Sequence, residues 1–238
     1  MNCDKKRRRV LGILGGMSWV STQSYYAGLN TAVGAARGRQ HSAELLIASI
    51  DFQPIVDAQA RDDWAAAAEV LAASAQGLER AGADAFLIAS NTMHRVLAPV
   101  RAAVTIPALD IFDATAAAVR AAGLTRVGLL GTRYTMSHAF YRDEFARRGV
   151  EIIVPEAHDA KRVNEIIFKE LIHGTVRPAA VAVYRDVMAR LAAAGAGGVV
   201  LGCTEIALLF PGETAADGVP LFDTTALHVA MAAGWLLD

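Results

Sequence analysis

Two apolar runs in this chain stop on groups that can move a proton. Residues 82–94, GADAFLIASNTMH, end their apolar stretch on Ser90-Asn91-Thr92, and residues 195–206, GAGGVVLGCTEI, end theirs on Cys203-Thr204-Glu205. Aligned, the runs set Ser90 opposite Cys203, a hydroxyl and a thiol at matching strand ends. Such a pair reads as the two halves of one acid–base site. A free thiol near about pKa 8.5 is only roughly a few per cent ionised at neutral pH, so a modest shift decides whether it is a base. Cys203 lies between a strand and what reads as a helix N-terminus, where thiol pKa values fall, so a lowered value is expected. Each residue also has a plainer reading. A free Cys is commonly a small buried hydrophobe, and Ser is common at strand ends and caps. The repeat favours the functional reading of both. Asn91, Thr92, Thr132, Thr135 and Thr204 add neutral donors that, with helix N-termini, suit a carboxylate.

Other chemistries fit the residues poorly. The glycines of Gly12-Ile13-Leu14-Gly15-Gly16 do not make the dinucleotide fingerprint, and Asp51 comes too late to hold a ribose. A phosphate-loop lysine is absent. The lysines are Lys5, Lys6, Lys161 and Lys169, the first two in a tail and the others at or in a helix, so none is placed for a Schiff base. Six histidines are scattered without metal-ligand spacing to Cys203. No metal and no cofactor are expected. His94, one helical turn past Ser90, reads as support for that loop.

The elements that must position these groups alternate strand and helix. Apolar strands are predicted over 9–14, 44–50, 85–89, 106–110, 126–130, 149–154, 195–201 and 221–222. Helices are predicted over 21–33 (capped by Ser21 or Thr22), 64–80, a short stretch interrupted near Pro99, 111–122, 137–148, 163–172, 179–194 and 224–237. This order argues parallel sheets covered on both faces. Arg9-Val10-Leu11-Gly12 recurs as Arg126-Val127-Gly128-Leu129. Val10 and Ser90 are 80 residues apart, Val127 and Cys203 76. The expected fold is therefore α/β, two pseudo-symmetric three-layer domains with parallel four-stranded sheets. The predicted division is 1–122, 123–222 and a closing helix over 223–238 that packs back on the first half. Ligands of such sheets bind beyond the carboxyl ends of the strands, so the active site is expected in the cleft between the halves.

With 238 residues the chain can bury a substantial core. A net charge of -1 with 20% charged residues excludes a strong overall field toward nucleic acid or anionic membrane. The basic run Lys5-Lys6-Arg7-Arg8-Arg9 reads as a solvated tail. Apolar stretches are too short to span a membrane, and the N-terminus lacks a signal-peptide pattern. Cys3 and Cys203 do not make a disulfide framework, which leaves a cytoplasmic protein as the expectation.

The motifs GGMSW after the first strand, SIDF at 49–52, SNTMH at 90–94, GTRYTM at 131–136 and GCTEI at 202–206 resemble the aspartate/glutamate racemase family, nearest its bacterial GGMSW branch. The resemblance implies a cofactor-independent amino-acid racemase, usually a homodimer, with an amino acid as its small-molecule substrate. It implies a two-base exchange at Cα by two cysteines, standing where this chain has Ser90 and Cys203. Some relatives with Thr at the first place and one Cys still act on L-glutamate or L-aspartate. Ser90 therefore points to an asymmetric racemase. The alternatives are a lyase resembling arylmalonate decarboxylases, working with Cys203 alone, or a Cys-to-Ser variant that only binds amino acid. By resemblance Met17, Gln53, Asn91, Thr92, Thr132, Thr135, Thr204 and Glu205 would contact substrate. Acidic-substrate members often carry a basic residue in the helix matching 163–171. Glu165 stands there, with Lys161, Arg162 and Lys169 a turn away, so the expected substrate is aspartate or glutamate or a broader range that takes in neutral amino acids.

Overall fold

A computed structural model describes residues 8–238. The expectations about Cys3 and Lys5-Lys6-Arg7 lie outside the described residues. In order, the first half of the chain forms β1 (Leu11–Gly15), α1 (Trp19–Arg37), β2 (Leu45–Ser49), α2 (Phe52–Ala60), α3 (Trp64–Arg80), β3 (Ala85–Ile88), α4 (Leu97–Ala102) and β4 (Ala108–Leu109). The second half forms α5 (Ile111–Ala121), β5 (Arg126–Leu130), α6 (Arg133–Ser137), α7 (Ala139–Ala146), β6 (Glu151–Ile153), α8 (Ala157–Lys169), α9 (Pro178–Ala193), β7 (Val199–Leu201), β8 (Ala215–Ala216), β9 (Val219–Asp223) and α10 (Thr224–Leu237). Two compact units result, one of residues up to Asp110 with Val229–Asp238, the other Ile111–His228.

In the first unit the sheet order is β2-β1-β3-β4, all parallel. Its strands are apolar on both sides because both faces are covered. Leu11, Ile13, Ala85 and Leu87 pack with Tyr25 and Leu29 of α1 and with Ala232, Ala233 and Leu236 of α10. Leu14, Phe86 and Ile88 turn the other way, onto Leu71, Ala75 and Leu78 of α3. The period of two along each strand thus feeds two cores. Arg9 and Arg37 donate to the carbonyls of Trp235 and Leu236, at 2.5 Å and 2.9 Å, closing off carbonyls at the end of α10.

The second unit repeats the order as β6-β5-β7-β9, parallel, and adds β8 antiparallel at the edge. Leu130, Val199, Leu201 and Leu221 meet Val163 and Ile167 of α8 and Tyr184, Val187 and Leu191 of α9. Val127, Leu129, Val200 and Phe222 meet Phe112 of α5 and Tyr141 and Phe145 of α7. Asp159 of α8 accepts two hydrogen bonds from Arg190 of α9, at 2.6 Å and 2.9 Å, and these hold its carboxyl below the ordinary range.

Several expectations need correction. The division expected at 122/123 falls at 110/111, because Phe112, Ala116 and Val119 of α5 are apolar toward the second sheet. The second sheet has five strands, not four, since the short antiparallel β8 joins its edge. Ser18, rather than Ser21 or Thr22, caps α1, accepting from the Ser21 amide at 3.4 Å. The chain from 51 to 60, read without a helix, forms α2 because Asp51 caps it and Ile55 and Ala58 bury one face.

Candidate active site

The acid–base candidates and the residues named as substrate contacts follow the carboxyl ends of strands, whereas Lys161, Arg162, Glu165 and Lys169 lie along α8. In the first unit, β1 runs into Gly16-Met17, β2 into Asp51–Gln53 and β3 into Ser90-Asn91-Thr92, and their registers align these ends along one sheet edge. Gly16 is required at the first of them. It has φ +88, and a Cβ there would lie 2.1 Å from the Ile50 carbonyl oxygen, so no side chain fits. Thr22 Oγ1 accepts from the Gly16 amide at 2.8 Å and donates to the Ser18 carbonyl at 3.1 Å, which pins this loop onto α1.

Ser90 stands two residues beyond β3 and is partly buried. The buried His94 donates from Nδ1 to its carbonyl at 2.7 Å, across a 3-10 turn, Thr92–Val96. His94 thus supports the loop, as its spacing suggested. Asn91 is buried and Thr92 partly so. Met17 is buried in the core with Leu14 and Ile88. Gln53 is exposed and donates to Asp57 at 2.8 Å along α2.

In the second unit, β5 runs into Thr132, which caps α6: its Oγ1 accepts from the Thr135 amide at 3.4 Å and lies 3.2 Å from Thr135 Oγ1. Cys203 stands two residues beyond β7, the place Ser90 holds after β3. The internal repeat is therefore a structural one, strand for strand. Cys203 Sγ donates to Glu205 Oε2 at 2.9 Å, and Thr204 Oγ1 donates to the same oxygen at 2.7 Å. One carboxylate gathers both protons.

This arrangement reverses the expected thiol shift. Burial first, then the charge of Glu205 and its hydrogen bond to the thiol, push Cys203 well above the ordinary thiol range. The segment after it, Thr204–Leu209, is a 3-10 turn of six residues, too short to supply the macrodipole assumed from the sequence. Cys203 rests as a thiol whose proton points at a base.

A raised folded pKa has a consequence for stability. Between the unfolded thiol value, about 8.5, and the higher folded one, the native state holds a proton that the unfolded chain has lost. This contribution is complete below about pH 8.5 and fades as pH rises through the folded value, by up to about 1.4 kcal/mol per pH unit. Urea unfolding from about pH 7.5 to about pH 9.5 is expected to show a shallower loss of stability in Cys203→Ser than in the wild-type chain. Equal slopes would sink the assignment.

Two residues at the same edge were missed from the sequence. Thr224, fully buried, donates to the Leu201 carbonyl at 2.9 Å and ties the start of α10 to the strand that carries Cys203. Asp223 accepts from the amides of Thr225 and Ala226 at 2.9 Å and 3.1 Å, and burial raises its carboxyl pKa. The signal was available: Pro107-Ala108-Leu109-Asp110 parallels Pro220-Leu221-Phe222-Asp223, with Asp110 buried and Asp223 half-buried. Among the described residues, no group of three or more His, Cys, Asp or Glu is arranged to hold a metal ion. No described helix is long and apolar enough to cross a membrane.

Comparison with known proteins agrees with this architecture. The chain is 43% identical to a candidate Asp/Glu racemase from Yersinia pestis, covering 97% of this chain and 100% of that one, with a TM-score of 0.90. It is 30% identical to an aspartate racemase homologue from Pyrococcus horikoshii OT3, covering 98% and 100%, with a TM-score of 0.83. Likeness to glutamate racemase from Francisella tularensis, at 15% identity over 97% of this chain and 81% of that one and a TM-score of 0.65, extends the fold alone. The family model for Asp/Glu/hydantoin racemases matches residues 14–232, a span that holds both strand ends and every candidate residue above, and the chain belongs to that racemase family.

Proposed function

We propose that the chain racemises an amino acid by proton exchange at Cα, with Cys203 as the working acid–base and Ser90 as its weaker partner. The observation that carries this reading is the Cys203–Glu205 contact of 2.9 Å at the end of β7. As an acid, the thiol gives its proton to a Cα carbanion. As a base, it first passes that proton to Glu205, and the thiolate then takes the Cα proton. Ser90, a much weaker acid, delivers a solvent-derived proton to the opposite face. Exchange is then fast for the enantiomer whose Cα proton meets Cys203, and inversion is slower. Thr132, Thr135, Asn91, Thr92 and Thr204 are the neutral donors proposed for the substrate carboxylate, with Met17 and Gln53 as further contacts.

A range wider than aspartate and glutamate is supported by Glu165, the acidic residue of α8. Its carboxylate accepts from Lys169 at 3.1 Å, and that bond keeps its pKa low, so it stays ionised. The direct test is NMR of the α-proton in deuterated water over acidic and neutral L- and D-amino acids. Loss of the α-proton signal faster than inversion, for one enantiomer, is expected. Carbon dioxide release from a disubstituted malonate, with no amino acid exchanging, would favour the lyase. A homodimer and a cytoplasmic location complete the proposal, supported by the family resemblance and by composition. Sedimentation velocity and cell fractionation check them.

A further inference from the structure

The second unit contains a hollow of about 650 Å³ whose lining includes Glu165 but none of the proposed acid–base residues or neutral donors. Its walls come from α6, α7, the connection after β6 and α8. Thr132, Thr135, Cys203, Thr204 and Glu205 do not line it. Met136, Val154 and Pro155 make an apolar surface in it, and the first and last of these are buried. Around that surface stand Arg133, Arg142 and Lys161. Among the described residues none of these three forms a close ion pair, although Lys161 acts on Glu165 at longer range, and Arg133 lies 5.7 Å over the Tyr134 ring.

The lining holds one carboxylate, Glu165, and it is bonded to Lys169, a cation outside the lining. Glu165 is thereby largely offset, and the balance facing the hollow is positive. The wall is also fixed: the Arg133 amide donates to Asn164 Oδ1 at 2.7 Å, which fastens the start of α6 to α8. A hollow of this volume lies within the range of small-molecule sites, roughly 300–1,000 Å³, where apolar walls carry a few placed polar groups. Cations beside apolar wall select a ligand with an acid group and an apolar body. The acid answers the charges, and the body replaces water on Val154, Ala157 and Ala160, the apolar lining residues that are not fully buried.

We propose that this hollow is a second small-molecule site, for an organic acid with an apolar body, with a lining that does not include Cys203. It does not depend on the racemase reading. Because α6 supplies both Arg133 to the hollow and Thr135 to the site, a bound acid would fix the turn that Thr132 caps.

Titration calorimetry of the full chain with 4-phenylbutyrate tests this, with 4-phenylbutanol and acetate as probes lacking the charge or the body. One-to-one binding of the acid is expected, on the order of tenfold or more tighter than of either comparator. The double variant Arg142→Gln/Lys161→Gln is expected to weaken it on the order of tenfold, Glu165→Gln to leave it equal or tighter, and Cys203→Ala to leave it unchanged. Thermal unfolding of each variant confirms that it is folded. The proposal is overturned if the alcohol binds as well as the acid, if the acid does not bind, if the folded double variant binds like the wild type, or if Cys203→Ala abolishes binding.

Discussion

Replacing Cys203 with alanine is expected to slow α-proton exchange on amino acids by a factor on the order of 10³ or more. The thiol is the group that the proposed exchange sets against Cα, and its proton is already directed at Glu205, 2.9 Å away. Alanine leaves no atom able to take or give a proton, whereas Ser90 cannot take over as a base, its alkoxide being scarcely formed near neutral pH. Structure is not the cause of the loss. Cys203 is only partly buried, and the turn around it keeps the Thr204–Glu205 hydrogen bond and the Thr224 bond to Leu201. NMR exchange rates in deuterated water, read beside urea midpoints, separate chemistry from folding. A variant of normal stability that still exchanges at the wild-type rate would falsify the assignment of Cys203.

The opposite change is expected at Ser90. Ser90→Cys should raise inversion of the slow enantiomer on the order of 10²-fold, since a positioned acid–base group typically contributes about 10²–10⁴. Serine and cysteine differ little in shape. The site is partly buried, and its backbone is held by His94 through the Ser90 carbonyl rather than through the side chain, so the loop can accept sulfur without rearrangement. The substituted thiol, with an unperturbed pKa of about 8.5, supplies a base where the hydroxyl supplies almost none. Exchange and inversion rates should then converge for both enantiomers. Polarimetry of D- and L-substrate, with Cys203→Ala/Ser90→Cys as the control, measures this. No rise in either direction means that Ser90 does not face the reacting carbon.

Much of the architecture was legible because it rests on local pattern. The run at 85–89 is apolar at every position and that at 126–130 at every position after Arg126, as strands covered on both faces must be, and they became β3 and β5. α3 was delimited residue for residue, since Asp63 caps it and Gly82, at φ +95, follows its end. β8 was not legible: two alanines carry no period, and they pair only because β9 passes beside them. α5 was readable as a helix but not as a member of the second unit. Its sequence states that one face is apolar, not which sheet that face will meet.

Sequence alone determined that Ser90 and Cys203 stand at matching places in the two halves. Each follows an apolar strand by the same short step, and repeated strand order then places each at the equivalent sheet edge. Tertiary structure decided the chemistry of that pair. A thiol after a strand was expected to be acidified by a helix N-terminus. The chain instead folds a short 3-10 turn that partly buries the sulfur and sets the Glu205 carboxylate against it, so the proton is held rather than released. A pKa depends on the dielectric and on charges within a few ångströms, and those distances are set by packing rather than by the order of residues.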